Sequence, residues 1–136
     1  MTDRRSLLAV TLAALALCAG CGAPTDDSAT GVDELSERGR YVYRVEFPDG
    51  GLRRGVNAFE VQSRAADGAP ARVTAVEASM PAHPHQAVSA VADGDPSTGE
   101  YTVRGLSLPM GGRWVLTLHF EGGAASDQAL VFAEVP

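Results

Sequence analysis

Trp114-Val115-Leu116-Thr117-Leu118-His119-Phe120 places Trp114, Leu116, Leu118 and Phe120 on one side of an extended chain and Val115, Thr117 and His119 on the other. Side chains alternate across a strand with a period of two, whereas a helix would scatter the same apolar groups around its circumference. The segment therefore predicts a strand, with the core beneath its tryptophan-bearing face. The same period recurs elsewhere. In Tyr41-Val42-Tyr43-Arg44-Val45-Glu46-Phe47 the odd positions are apolar, and Pro48-Asp49-Gly50-Gly51 supplies the turn that ends it. In the segment 57–62, Phe59 and Val61 face in while Glu60 and Gln62 face out. Residues 72–80, 86–92, 100–104 and 128–135 complete the set, with 93–99 read as a long turn. Seven short strands separated by turn signals, with no helix-period segment of useful length after the first 20 residues, predict an all-β fold. The expected architecture is an immunoglobulin-like β-sandwich of about seven antiparallel strands, with a small barrel as its competitor. The cysteine pair of antibody domains is missing, and the strand order stays open at this stage.

The N-terminus carries a different signal. Arg4-Arg5 precedes an apolar run from Leu7 to Ala19, followed by Gly20-Cys21-Gly22. The run is too short for a bilayer span, which needs about 20 residues, and its basic front and small-residue end match an export signal. Cysteine directly after Ala19-Gly20 resembles the lipobox of bacterial lipoproteins, which implies lipid attachment at Cys21. Residues 1–20 are thus expected to be a signal peptide. Residues 21–39, poor in large apolar groups and rich in turn formers and acid, are expected to be a flexible tether. One domain follows over 40–136, and the expected location is the cell envelope, anchored to a membrane through lipid.

With Cys18 in the signal and Cys21 lipidated, no thiol remains for a disulfide or a nucleophile, and the domain is left to stand on its core. All eleven basic residues are arginine, set against seventeen acidic ones, for a formal charge of −6 and a pI near 4.9. No basic stripe exists to neutralise phosphates, which excludes nucleic acid as an expected partner. Enzyme motifs are also missing: there is no Gly-x-Ser-x-Gly elbow, no glycine-rich phosphate loop and no His-Glu-x-x-His. The expectation is a non-enzymatic protein.

Ser79-Met80-Pro81-Ala82-His83-Pro84-His85 gathers two of the three histidines and one of the three methionines, and Leu108-Pro109-Met110-Gly111-Gly112 brings another methionine to the mouth of the Trp114 strand. The prolines favour extended backbone, in which His83 and His85 project to the same side. Two thioethers and two imidazoles are a donor set that monovalent copper prefers, since thioether is too soft for magnesium or calcium and is rarely used by zinc. The bland alternatives stay open: methionines fill cores, and extended histidine pairs occur on solvated loops. His119 lies opposite the apolar face of its strand and reads as an ordinary surface histidine.

The succession Gly55-x-Asn57-x-Phe59-x-Val61, a turn ending in Pro70, Met80-Pro81-x-His83-x-His85, Gly99-x-Tyr101 and Met110-x-Gly112-x-Trp114 resembles the YtkA-like domain, related to the FixH family, from about Val45 to Val135. Pro84 departs from the small flexible residue expected between the histidines and stiffens that stretch. The resemblance implies a small exported or membrane-anchored sandwich linked to copper handling, including copper supply to respiratory oxidases in the FixH branch. Two functional expectations follow. One is a lipid-anchored protein that binds Cu(I) through Met80, His83, His85 and Met110 and buffers it or exchanges it with a copper-donating or copper-receiving envelope protein. The other is a non-metal interaction or accessory module of an envelope complex.

Overall fold

The computed structural model describes residues 31–48, 50–123 and 125–136, so the expected signal peptide, Cys21 and the first part of the expected tether lie outside the described residues. Nine strands follow one another: β1 (Glu34–Leu35), β2 (Tyr41–Glu46), β3 (Gly55–Ala65), β4 (Arg72–Met80), β5 (His83–Ala90), β6 (Ala92–Asp95), β7 (Glu100–Leu108), β8 (Gly112–Glu121) and β9 (Asp127–Val135). They form two antiparallel sheets, β1-β2-β3-β7-β6 and β5-β4-β8-β9. The all-β sandwich expected from the alternation is what the chain forms, and its strand order is now fixed. The row β2-β3-β7-β6 occupies the places of strands A, B, E and D of an immunoglobulin constant-type sandwich, with β4, β8 and β9 as C, F and G. β5 adds an outer edge beside β4.

The alternation in β8 predicted its faces correctly: Trp114, Leu116, Leu118 and Phe120 are fully buried. From the facing sheet, Tyr41 stacks on Phe120 at 5.5 Å between ring centroids, Tyr43 meets the same ring at 5.6 Å, and Phe59 takes Phe47 edge-on at 5.4 Å. Rings at such separations contribute about 0.5–1.5 kcal/mol beyond their buried area. With no disulfide among the described residues, the two contacts to Phe120 and the aliphatic residues around them hold the two sheets together, while Phe47 and Phe59 pack within one sheet.

Two strands were not expected. β6 occupies Ala92–Asp95, taking the last residue of the expected strand 86–92 and the start of the expected turn 93–99, and it pairs Gly94 with Tyr101 of β7. A Cβ on Gly94 would stand 2.7 Å from Tyr101 Cδ1, so the tyrosine ring covers the bare glycine backbone and supplies packing that the glycine lacks. Gly99, at φ +75°, closes the intervening turn, and its carbonyl accepts the Ser63 N–H at 2.8 Å. The Gly99-x-Tyr101 pattern is therefore a structural device.

β1 lies inside the segment expected to be a tether through Gly39, and that expectation needs correction from about Asp33 onward. Asp33 pairs with Arg44 at 2.8 Å and with Arg64 at 3.0 Å, while the Tyr43 hydroxyl donates to Glu34 Oε2 at 2.7 Å. The Ser36 hydroxyl donates to Asp127 Oδ2 at 2.7 Å, and the Glu37 N–H donates to the Gln128 carbonyl at 2.8 Å. The segment is ordered by polar contacts, which apolar periodicity does not register.

Candidate metal centre

β4 ends at Met80, and the hairpin Pro81-Ala82 returns the chain as β5 at His83, which stands directly opposite Met80 in the ladder. The His83-Pro84-His85 stretch, expected to precede a strand at Gln86, is itself the start of β5. A proline is tolerated there because β5 is an edge strand, where a missing N–H costs no ladder bond on the outer side. Between the Ala78↔Val88 and Met80↔His83 pairs the register shifts, so the strand is irregular where its histidines lie.

Met80 is 5% exposed and belongs to the core. Its methyl end reaches the start of β8: a Cβ on Gly112 would stand only 2.9 Å from Met80 Cε. Gly112 sits at φ +120°, a conformation side chains resist, so glycine serves there twice, in backbone freedom and in room for the methionine. Met110, two residues earlier, is half-buried against the core, and its carbonyl accepts the Trp114 indole N–H at 3.1 Å. The fold thus anchors the Met110 loop through Trp114 and brings the end of Met80 against that loop.

His83 and His85 are both exposed, and neither side chain makes a hydrogen bond, ion pair or ring contact among the described residues. Their ring nitrogens are uncommitted. Of the four expected ligands, Met80, Met110 and His83 gather at one end of the sandwich, while His85 lies two residues further along β5. Among the described residues no three His, Cys, Asp or Glu side chains cluster in a way that would hold a metal ion, so any centre here depends on the thioethers.

His119 departs from the simple surface reading. It is half-buried on the outer face of β8, its Nε2 lies 3.8 Å from Glu77 Oε2, and that nitrogen is shielded from solvent without a hydrogen-bond partner among the described residues. It borders a cavity of about 410 Å³ with Glu77, Glu121 and Arg38. Asp127, which no sequence pattern flagged, is buried and accepts from Ser36 Oγ and from the backbone N–H groups of Arg38, Arg40 and Gln128. Its role is structural.

Asn57, from the Gly55-x-Asn57 pattern, is also buried. Its Oδ1 accepts the Arg53 N–H at 2.9 Å and its Nδ2 donates to the Arg53 carbonyl at 2.7 Å, fixing the turn into β3. Comparison with characterised proteins and with solved structures yields no match. A family model described as YtkA-like matches residues 37–119, a span that takes in Asn57, Met80, His83, His85, Met110 and Trp114. That span is more than half of the chain, and the chain belongs to the YtkA-like family.

Proposed function

We propose that this chain is an exported, lipid-anchored protein of the cell envelope that binds Cu(I) through Met80, Met110, His83 and His85 and buffers it or passes it to an envelope partner. The observation that carries the reading is the packing of Met80 Cε against Gly112, two residues from Met110, with His83 opposite Met80 in the ladder. Thioether and neutral imidazole match the softness of monovalent copper. Met80 is held by the core and the Met110 loop by Trp114, whereas the two imidazoles are exposed and unengaged, an arrangement suited to taking up and releasing an ion at the surface. A bound copper ion would supply no chemistry beyond its own transfer, so the protein acts as a carrier and not as an enzyme. Affinity falls on acidification, because an imidazole must be neutral to donate its lone pair.

The test is a competition titration with a chromophoric Cu(I) chelator on residues 31–136, alongside His83→Ala, His85→Ala and the double variant. The parent retains Cu(I) against the chelator and the double variant does not; equal retention by both would sink the reading. Anchoring has its own test, in which Cys21→Ala releases the protein from membranes or leaves it unprocessed. A non-metal interaction module of an envelope complex is the second reading. It is favoured by the free edge of β5, where residues 83–92 carry no charged side chain and Val91 is 74% exposed.

A further inference from the structure

On the outer face of the β1-β2-β3-β7-β6 sheet, where β2 turns into β3, lies a hollow of about 450 Å³ whose lining among the described residues includes Arg53, Arg104, Pro48, Val56 and Ala58 and no carboxylate side chain. In a chain of net charge −6 a lining with two guanidinium groups stands out. Of the other described arginines, Arg44 and Arg64 pair with Asp33, Arg54 with the Pro136 carbonyl and Arg113 lies over the Phe132 ring, while Arg38, Arg40 and Arg72 stand apart from this hollow. The side chains of Arg53 and Arg104 have no hydrogen-bond or ion-pair partner among the described residues. Glu46 and Glu60 line the adjoining hollow that Arg104 also borders, and neither is close enough to form an ion pair with it.

Both arginines are placed by special backbone. Buried Asn57 holds both the N–H and the carbonyl of Arg53, which fixes where that side chain leaves the turn. Arg104 pairs with Ala58 and Leu106 with Asn57, so Gly105, at φ +77°, is an extra residue in β7 that shifts the register. Bulges of this kind re-aim the neighbouring side chain. Without the extra residue, Arg104 and Leu106 could not both keep their faces relative to the straight run of β3. Beside the two cations, Val56 is 66% exposed and gives the hollow an apolar flank. The Gly31 N–H donates to the Val45 carbonyl at 2.8 Å, so the chain joins the domain at this same end.

We propose that the Arg53–Arg104 hollow is a phosphoryl-binding site, taking a phosphate mono- or diester whose remaining part lies along Val56. Guanidinium presents forked donors that match phosphoryl oxygens, and two of them with no ion-pair partner among the described residues offer an anion charge-assisted contacts. The same chemistry is offered by a glycerophospholipid headgroup and by a free phosphate ester. This site shares no residue with the proposed copper centre, and its success or failure is independent of that reading.

The test follows the arginine Nε–H resonances of the full chain in non-ionic detergent by nuclear magnetic resonance, at constant ionic strength. The probes are inorganic phosphate, glycerol 3-phosphate and dihexanoyl phosphatidylglycerol. Arg53 and Arg104 shift saturably, and Arg104→Ala weakens the effect on Arg53 about tenfold, as expected for losing one of two charge-assisted contacts. Arg72→Ala, at the opposite end of the sandwich, leaves it unchanged. Saturation by phosphate and glycerol 3-phosphate at similar concentrations identifies a free phosphate as the ligand, and saturation by the lipid at much lower concentration identifies the headgroup; each supports the site. Shifts that stay linear in every probe, or an Arg53 shift that saturates unchanged in Arg104→Ala with its thermal melt unchanged, overturn it.

Discussion

Ser36 Oγ donates to Asp127 Oδ2 at 2.7 Å, joining the loop after the first strand to the start of the last across 91 positions of sequence. Burial is the largest single influence on this carboxyl and pushes its pKa up. The donors Ser36, Gln128, Arg40 and Arg38 together outweigh it and hold the group below its ordinary value of 3.8. A depressed folded-state pKa contributes stability that is present above the unfolded value and is lost as pH falls through the folded one. Asp127→Asn is expected to cost about 1–3 kcal/mol at neutral pH, since several donors lose their acceptor. It should also flatten the loss of stability below about pH 4. Urea melts of both proteins at pH 7 and pH 3 check this; equal acid sensitivity would place the titrating group elsewhere.

All three tyrosines titrate above the ordinary phenol value. Burial is the first cause for Tyr41, Tyr43 and Tyr101, and for Tyr43 the hydrogen bond to Glu34 adds to it. The folded state therefore keeps these protons, so stability is undiminished below the unfolded value near pH 10 and declines as pH rises beyond it. Absorbance at 295 nm is expected to stay flat through pH 10 and then rise steeply, together with loss of the near-ultraviolet circular dichroism signal. A separate, gradual tyrosine titration centred at pH 10 would contradict this.

Trp114 is fully buried and its indole N–H is engaged by Met110. Trp114→Ala is expected to cost about 3–5 kcal/mol in denaturant melts. A change below about 1 kcal/mol would mean that the sandwich does not close over this residue.

Gly112→Ala meets two obstacles, its φ of +120° and the Met80 methyl. The methyl is the far end of a flexible side chain and swings aside, so the backbone dominates, at about 1–3 kcal/mol. Adding Met80→Leu should change that cost by less than about 0.5 kcal/mol. Substantial rescue would show that packing, not backbone, forbids the alanine.

Because Met80 is core, its truncation to alanine would confound metal loss with unfolding. Met80→Leu and Met110→Leu keep volume and remove sulfur, and are expected to stay within about 1.5 kcal/mol of the parent. On the proposed function, both weaken Cu(I) far more than Zn(II) in competition titrations. Equal effects on the two ions would remove the thioethers from the site.

The sandwich was legible because its inner residues alternate without interruption, as in β8 and in Tyr41, Tyr43 and Val45 of β2. β6 was hidden because Asp93-Gly94-Asp95 has the composition of a turn, and its pairing with β7, where Tyr101 lies across Gly94, depends on the fold. β1 was hidden because Asp33, Glu34 and Ser36 are held by distant polar partners, Arg44 and Asp127 among them, and no local pattern announces them. At the candidate metal centre the sequence gathered Met80 and His83 through a hairpin two residues long, which spacing makes visible. The meeting of Met80 with Gly112 could be anticipated only as a possibility of folding back, since it depends on β4 lying beside β8. Asn57 stood out as part of a pattern, while its grip on Arg53 needed the fold.

A single residue, Val91, separates β5 from β6, although the two strands belong to opposite sheets. That edge of the sandwich is therefore a covalent hinge. The far edge, where β1 and the loop behind it face β9, is closed by the Ser36–Asp127 and Glu37–Gln128 contacts and works as a latch. The two layers are thus joined at one edge by the chain itself and at the other only by hydrogen bonds, with the Tyr41–Phe120 stack between them.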